Sequence, residues 1–238
     1  MENLKLERVT PTLSVYQKKG VFSYGTDAVL LAKYVLSDFK SMKNKRMCDL
    51  CSGTGIIPLL ICDGNRDVTS VGIEINPDAA EIARMSADVS GLSDRYTQAL
   101  LDLKQVREHF ESESFDFITC NPPYMTATSG YMCTDDYKTI ARHEILCDID
   151  DVFRCAFYLL RTGGSIYIVY RTDRLSSLFA AAKNNRFEIK EMICFVSGNL
   201  PAKSKLTVCK CSKDASEGMK FSIADTQQFL NGEHYAGN

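Results

Sequence analysis

The sequence predicts an α/β domain: a mainly parallel, seven-stranded sheet with helices on both faces and a terminal antiparallel hairpin. Three observations carry this expectation. Short apolar runs alternate with helical segments along most of the 238 residues. A glycine-bearing turn, Asp49-Leu50-Cys51-Ser52-Gly53-Thr54-Gly55, joins one such run to an apolar helix. Two longer apolar runs, Phe187–Val196 and Lys205–Cys211, then follow each other nearly back to back.

In chain order, Val29, Leu30, Leu31, Ala32, Tyr34, Val35 and Leu36 form an early helix, with Thr26 or Asp27 as its N-cap. Residues 40–46 make a basic connector. Five short strands are expected at Met47–Leu50, Ser70–Ile75, Tyr96–Leu100, Phe115–Cys120 and Ser165–Tyr170. The glycine turn opens a helix through Ile56, Ile57, Leu59, Leu60 and Ile61. Asn76-Pro77 is a helix start, an N-cap followed by proline at the first helical position. Ala79, Ile82, Ala83, Ser86 and Val89 follow at helical spacing, and Gly91 can end the run. Asp151–Leu160 reads as a helix, and Gly163-Gly164 as a break before the fifth strand. The tail after Ser212 is read as either an extra strand or a frayed end. The whole chain, 1–238, is expected to form one domain, with 1–44 as an amino-terminal extension packed over the cofactor and substrate side.

Bulk properties narrow the class. A net charge of −2 gives no global pull toward nucleic acid. Positive charge is local, at Lys18 and Lys19, at Lys40, Lys43, Lys45 and Arg46, and at Lys203 and Lys205; these either converge into a phosphate footprint or lie scattered. No run approaches the roughly 18 apolar residues of a membrane span, and the start reads as no signal peptide, so the expected location is cytoplasmic. The ten cysteines sit mostly in apolar runs, as small buried hydrophobes do in a reducing compartment. Cys48 and Cys51 have redox-like spacing but no second pair, and no metal-ligand pattern is present.

Two motifs carry chemistry. Asn121-Pro122-Pro123-Tyr124 follows the strand ending at Cys120, where ligands bind in an open α/β sheet. The Asn121 side-chain oxygen and the Pro122 carbonyl are two acceptors that suit an NH2 group, and Tyr124 offers a face for a planar base. The second motif is the glycine turn, in which Gly53 and Gly55 allow a close backbone approach. Cys51 is expected in an ordinary conformation. Glu74 ends the next strand about 20 residues on, where a ribose diol would be gripped.

Together these residues resemble the class I S-adenosylmethionine-dependent methyltransferases, with their Rossmann-like fold. Asp49–Gly55 is similar to that family's first motif, and Glu74 to its ribose-binding acid. Asn121–Tyr124 is similar to the N-P-P-Y motif of enzymes that methylate exocyclic or amide nitrogens. Phe22-Ser23-Tyr24-Gly25-Thr26-Asp27-Ala28-Val29-Leu30-Leu31-Ala32 resembles the amino-terminal motif of the tRNA (adenine-N6)-methyltransferases that act beside the anticodon of a valine tRNA, and Ala141-Arg142-His143-Glu144 is similar to that subfamily too.

The resemblance implies S-adenosyl-L-methionine as cofactor, tRNA as partner, and no membrane or metal. It implies Asn121, Pro122 and Tyr124 as catalytic. It implies cofactor contacts from Tyr24, Gly25, Thr26, Asp49, Ser52, Gly53, Gly55, Glu74, Ile75, Asp102 and Asn121, and substrate contacts from Pro123, Tyr124 and Arg142. Several of these stay open on the residues alone. Asp102 either binds the adenine amino group or is a surface acid. Tyr24–Asp27 either covers the cofactor's methionine end or only caps a helix. Arg142 either touches phosphate or is solvated. Rival functions are methylation of a protein glutamine amide, methylation of ribosomal RNA guanine N2, a cofactor-binding module without a reaction, and a nicotinamide dehydrogenase. The last has no use for Asn121–Tyr124.

Overall fold

The computed structural model describes residues 4–21, 23–38, 43–123, 147–198 and 203–232. An antiparallel hairpin comes first, β1 (Leu4–Arg8) and β2 (Ser14–Lys18), followed by helix α1 (Thr26–Asp38). Strands β3 (Lys45–Leu50), β4 (Val68–Glu74), β5 (Tyr96–Leu100) and β6 (Phe115–Cys120) then alternate with α2 (Ile56–Gly64), α3 (Pro77–Val89) and the short α4 (Val106–His109). Helix α5 (Ile149–Leu159) runs directly into β7 (Leu160–Arg171), and α6 (Leu175–Asn184), β8 (Phe187–Val196), β9 (Leu206–Lys213), β10 (Lys220–Asp225) and α7 (Thr226–Asn231) complete the fold.

The main sheet has eight strands in the order β10-β8-β9-β7-β6-β3-β4-β5. Every pairing is parallel except those of β9, which runs antiparallel to both β7 and β8. The expected terminal hairpin is therefore present, and its second strand lies inside the sheet. The eighth strand, β10, comes from the tail after Ser212: Lys220–Asp225 pair with Glu191–Val196. Of the two readings of that tail, the strand is correct.

Alternation along the strands divides the core between the two faces. Met47, Phe117, Tyr167, Val169 and Val208 pack toward α1, α2 and α3. Their neighbours Cys48, Ile118, Ile166, Ile168 and Cys209 pack toward α5 and α6. Both sheet faces are thus covered, which is why these strands read as continuous apolar runs. Cys209 and Cys211 share one buried face. The Asn76 side chain caps α3 by accepting from the Asp78 and Ala79 N–H groups at 2.9 and 3.3 Å, with Pro77 at the first helical position.

Two local expectations are corrected. Gly163-Gly164 does not break the chain before β7 but lies within the strand, where its pairing with β6 shifts register between Phe115 and Phe117. A Cβ on Gly164 would stand 3.0 Å from the Asp116 carbonyl oxygen, so the glycine lets two backbones close on each other. The second correction is Cys51, whose φ is +55°, in the left-handed region rather than an ordinary one. The turn is held in that shape by the Ser52 N–H donating to the Ile73 carbonyl at 3.0 Å and the Gly53 N–H donating to Glu74 at 2.8 Å.

Candidate active site at the carboxyl ends of the strands

Strands β3, β4, β5 and β6 are parallel, so the loops leaving their carboxyl ends gather on one side of the sheet. A cleft of about 310 Å³ lies there, at the lower end of the range for small-molecule sites. Its wall combines all the described segments that the sequence singles out: Tyr24 from the amino-terminal motif, Ser52 and Gly53 from the glycine turn, Glu74 and Ile75, Asp102, and Asn121, Pro122 and Pro123. Tyr124 and Arg142 lie outside the described residues, as does the Ala141–Glu144 motif.

The glycine turn rests on a buried polar support from β5. Gln98 Nε2 donates to Ser52 Oγ at 3.1 Å and to the Gly72 carbonyl at 3.2 Å, and the Tyr96 hydroxyl donates to Gln98 Oε1. Gly55 faces this support and not the cleft: a Cβ there would lie 2.8 Å from Tyr96 Oη and 3.0 Å from the Ala83 Cβ. Its close approach is to β5 and α3. Gly53, at φ +54°, is the glycine on the cleft wall and would place a Cβ in open space.

Three carboxylates differ in their surroundings. Glu74, on the wall, accepts from the Gly53 N–H and the Asn76 N–H, both at 2.8 Å, and so ties β4 to the turn beside it. Asp102, also on the wall, accepts from the Lys104 N–H at 2.9 Å and starts a short 3-10 turn. Asp49 is not part of the wall. It lies fully buried under the turn, accepting from the Thr119 hydroxyl at 2.5 Å through Oδ1, while Oδ2 has no partner. Burial pushes its carboxyl up to about 8, against the Thr119 hydrogen bond and with help from the nearby Glu74 charge.

The amino-terminal motif reaches the cleft by its own anchors. The Tyr24 hydroxyl donates to Glu7 at 3.1 Å, and burial followed by that contact raises the phenol to about 12. Gln17 Nε2 donates to the same carboxylate at 2.9 Å. Hairpin β1–β2 packs on α3, where the Ser14 and Tyr16 N–H groups donate to Ser90 and Ser86. Gly25 and Thr26 are not part of the wall, but Asp27 is, and its Oδ2 accepts from Asn121 Nδ2 at 3.0 Å.

Sequence reasoning left Asp27 either as a helix cap or as part of a segment over the cofactor's methionine end, and missed its contact with Asn121. It also missed Cys147, on the cleft wall, whose thiol donates to the Asp148 carbonyl at 3.4 Å. Of the two readings of the local positive charge, convergence does not hold for Lys45 and Arg46, and Lys40 lies outside the described residues. Lys45 and Arg46 begin β3, at the opposite end of the sheet, where Lys45 pairs with Asp116 at 3.3 Å. Lys18 is at the cleft end, paired with Asp78 at the start of α3 at 2.9 Å. Among the described residues no cluster of His, Cys, Asp and Glu could hold a metal, and no helix is long and apolar enough to cross a membrane.

Comparison with known proteins agrees with this geometry. A protein of Porphyromonas gingivalis named tRNA1(Val) (adenine(37)-N6)-methyltransferase is 33% identical over 156 residues, covering 65% of this chain and 60% of that protein. One of the same name from Bacteroides fragilis is 23% identical over 230 residues, covering 93% and 94%. The chain thus spans less than two thirds of the first relative and nearly all of the second. A solved structure described as a predicted O-methyltransferase from Agrobacterium tumefaciens superposes with a TM-score of 0.68 at 19% identity, covering 87% of this chain and 96% of that one. The family pattern described as "Methyltransferase domain" matches residues 41–231, most of the sequence, and the chain belongs to that family.

Proposed function

We propose that this chain is an S-adenosyl-L-methionine-dependent N-methyltransferase acting on adenine N6 of a tRNA, at the adenine beside the anticodon of valine tRNA. The observation that carries the reading is the meeting of Asn121-Pro122-Pro123 with the glycine turn and Glu74 in one cleft. The two relatives named for this reaction support the acceptor. We read residues 1–238 as one domain, with 1–44 as an extension whose Tyr24 and Asp27 stand at the cleft.

The donor set suits such a cofactor. Glu74 accepts one N–H at each oxygen, and an ionised carboxylate has about four lone-pair sites, so acceptor capacity remains for a diol. Asp102 offers an acceptor for a purine amino group. Tyr24 and Ser52 complete the wall around these acids.

The bound cofactor supplies an electrophilic methyl group. The protein's task is placement of a nitrogen lone pair, a proximity effect that accounts for on the order of 7–11 kcal/mol in favourable cases. Asn121 Oδ1 and the Pro122 carbonyl would accept the two hydrogens of the amine. That favours a pyramidal nitrogen and stabilises the positive charge that grows on it. Pro123 and Tyr124 would line and stack on the base, and Arg142 would meet phosphate. Pro122 cannot donate, so no N–H at that position competes for the amine. A base in structured RNA must be splayed out to enter the cleft. Lys18 and Lys205 are among the described lysines near the cleft end of the sheet that would meet its backbone.

Labelled cofactor supplied with total tRNA, release factor or buffer alone tests the reading. Transfer to tRNA is expected. Transfer to release factor would favour the glutamine amide, and binding without transfer would favour an inert module.

A further inference from the structure

We propose that Asp27 is a positioning residue for Asn121: the carboxylate on α1 holds the amide by its nitrogen and so turns the carbonyl oxygen toward the acceptor amine. The proposal rests on the methyl-transfer reading of the cleft and assigns a part of it to the amino-terminal segment.

An asparagine side chain is nearly symmetric in shape, so its neighbours decide which end faces which way. Here one neighbour leaves no choice. Asp27 Oδ2 lies 3.0 Å from Asn121 Nδ2, and an ionised carboxylate only accepts. The NH2 end must face Asp27, and the carbonyl oxygen is the end directed away from it. The reverse orientation would set two oxygens against each other at Asp27 and two NH2 groups against each other at the substrate. Both contacts are repulsive.

The carboxylate is itself fixed. Asp27 Oδ1 accepts from the Ala28 N–H at 2.9 Å, in the first turn of α1, where the positive end of the helix dipole favours an anion. Gly25 gives it room, because a Cβ there would stand 2.6 Å from Asp27 Oδ1. This is a physical reason for a glycine at position 25 that does not involve the cofactor. The charge also acts through the amide. A negative group behind the NH2 end polarises the carbonyl and strengthens its hold on a nitrogen that becomes cationic.

The test compares Asp27→Ala, Asp27→Asn and Gly25→Ala with wild type, and pairs Asp27→Ala with Asn121→Ala. Losing one charge-assisted hydrogen bond predicts a fall in kcat of roughly 10- to 100-fold for Asp27→Ala, with KM for tRNA and cofactor affinity within about threefold. Asp27→Asn, which keeps the shape and can offer an oxygen, should recover part of that loss. Gly25→Ala should fall in the same direction as Asp27→Ala. The double variant should be no slower than Asn121→Ala alone, since Asp27 has nothing left to orient. Losses that multiply in the double variant, or a rise in KM with kcat unchanged, would overturn the assignment.

The side-chain amide resonance of Asn121 in the cofactor-free protein separates this inference from its parent. It should shift in Asp27→Ala and stay in place in a Lys183→Ala control. If wild type transfers no methyl group at all, the methyl-transfer reading fails, and an unmoved amide resonance would then sink the Asp27 assignment as well.

Discussion

Asp49 and Asp116 lie on neighbouring strands of one sheet, at opposite ends, and their environments are opposite too. Asp116, at the amino end of β6, accepts from the Arg46 N–H at 2.8 Å and pairs with Lys45 at 3.3 Å and Arg161 at 2.9 Å. Burial pushes its carboxyl up, but these partners outweigh that and hold it below the usual carboxylate range. Asp49, near the carboxyl end of β3, has one hydroxyl and an oxygen with no partner, and its carboxyl is raised. Positive φ in non-glycine residues occurs at both ends: Cys51 lies beside the cleft, and Asn44 and Glu113 precede β3 and β6 at the other end. One end of the sheet is arranged for stability. The other holds a raised carboxyl with an unpartnered oxygen beneath the turn that borders the cleft.

The largest expected departure is at the cleft. Asn121→Ala should abolish methyl transfer, by at least about 1,000-fold, while cofactor affinity changes little. Loss of cofactor binding instead would show that Asn121 serves the wrong ligand.

Next comes the pH response of Asp49. Its folded value of about 8 lies above the ordinary 3.8, so between these the native state holds more protons than the unfolded chain. Stability of the cofactor-free protein should fall as pH rises from about 4 to about 8 and level off above, by a few kcal/mol in all. Asp49→Asn should flatten that fall in urea titrations across the window. An unchanged slope would remove the contrast between the two aspartates.

Asp116→Ala should cost about 1–2 kcal/mol at pH 7, less than a fully buried pair because Lys45 and Arg161 are substantially exposed. The lowered carboxyl contributes stability above the ordinary carboxylate range, and that contribution is lost as pH falls through it. The loss should therefore vanish in acid, as thermal melts would record. The smallest effect is at Cys51. Replacement by Gly relieves a positive φ of 55°, an unfavourable conformation by about 1 kcal/mol for a residue with a Cβ, partly offset by the greater freedom of unfolded glycine. A rise in melting temperature of a degree or two is expected, without loss of cofactor affinity.

The central strands β3, β6 and β7 were legible because they are largely buried on both faces, and α3 because Asn76 caps its start. The pairing of β10 with β8 was not, because its alternating apolar side chains, Phe221 and Ile223, face solvent rather than the core. At the site, glycine, acid and amide could be read from residue type and order. The Asp27–Asn121 contact joins positions 94 residues apart through a short polar side chain, and local sequence reports only that Asp27 opens a helix. Cys51 was misjudged because its φ is fixed by the hydrogen bonds around it, from Ser52 to Ile73 and from Gly53 to Glu74, and not by its own preference.

Strand β9 has a further consequence, for the nascent chain. It is wedged between β7 and β8, and both of its edges are paired. Until Lys213 has been synthesised, β8 has no place to dock and β7 carries a bare backbone edge. The cleft-forming strands β3 to β6 all precede that point, so the reactive half can assemble early while the sheet stays open on its far side. An exposed edge of that kind recruits other strands. A translational stall just before residue 206 would therefore leave this protein at its most aggregation-prone.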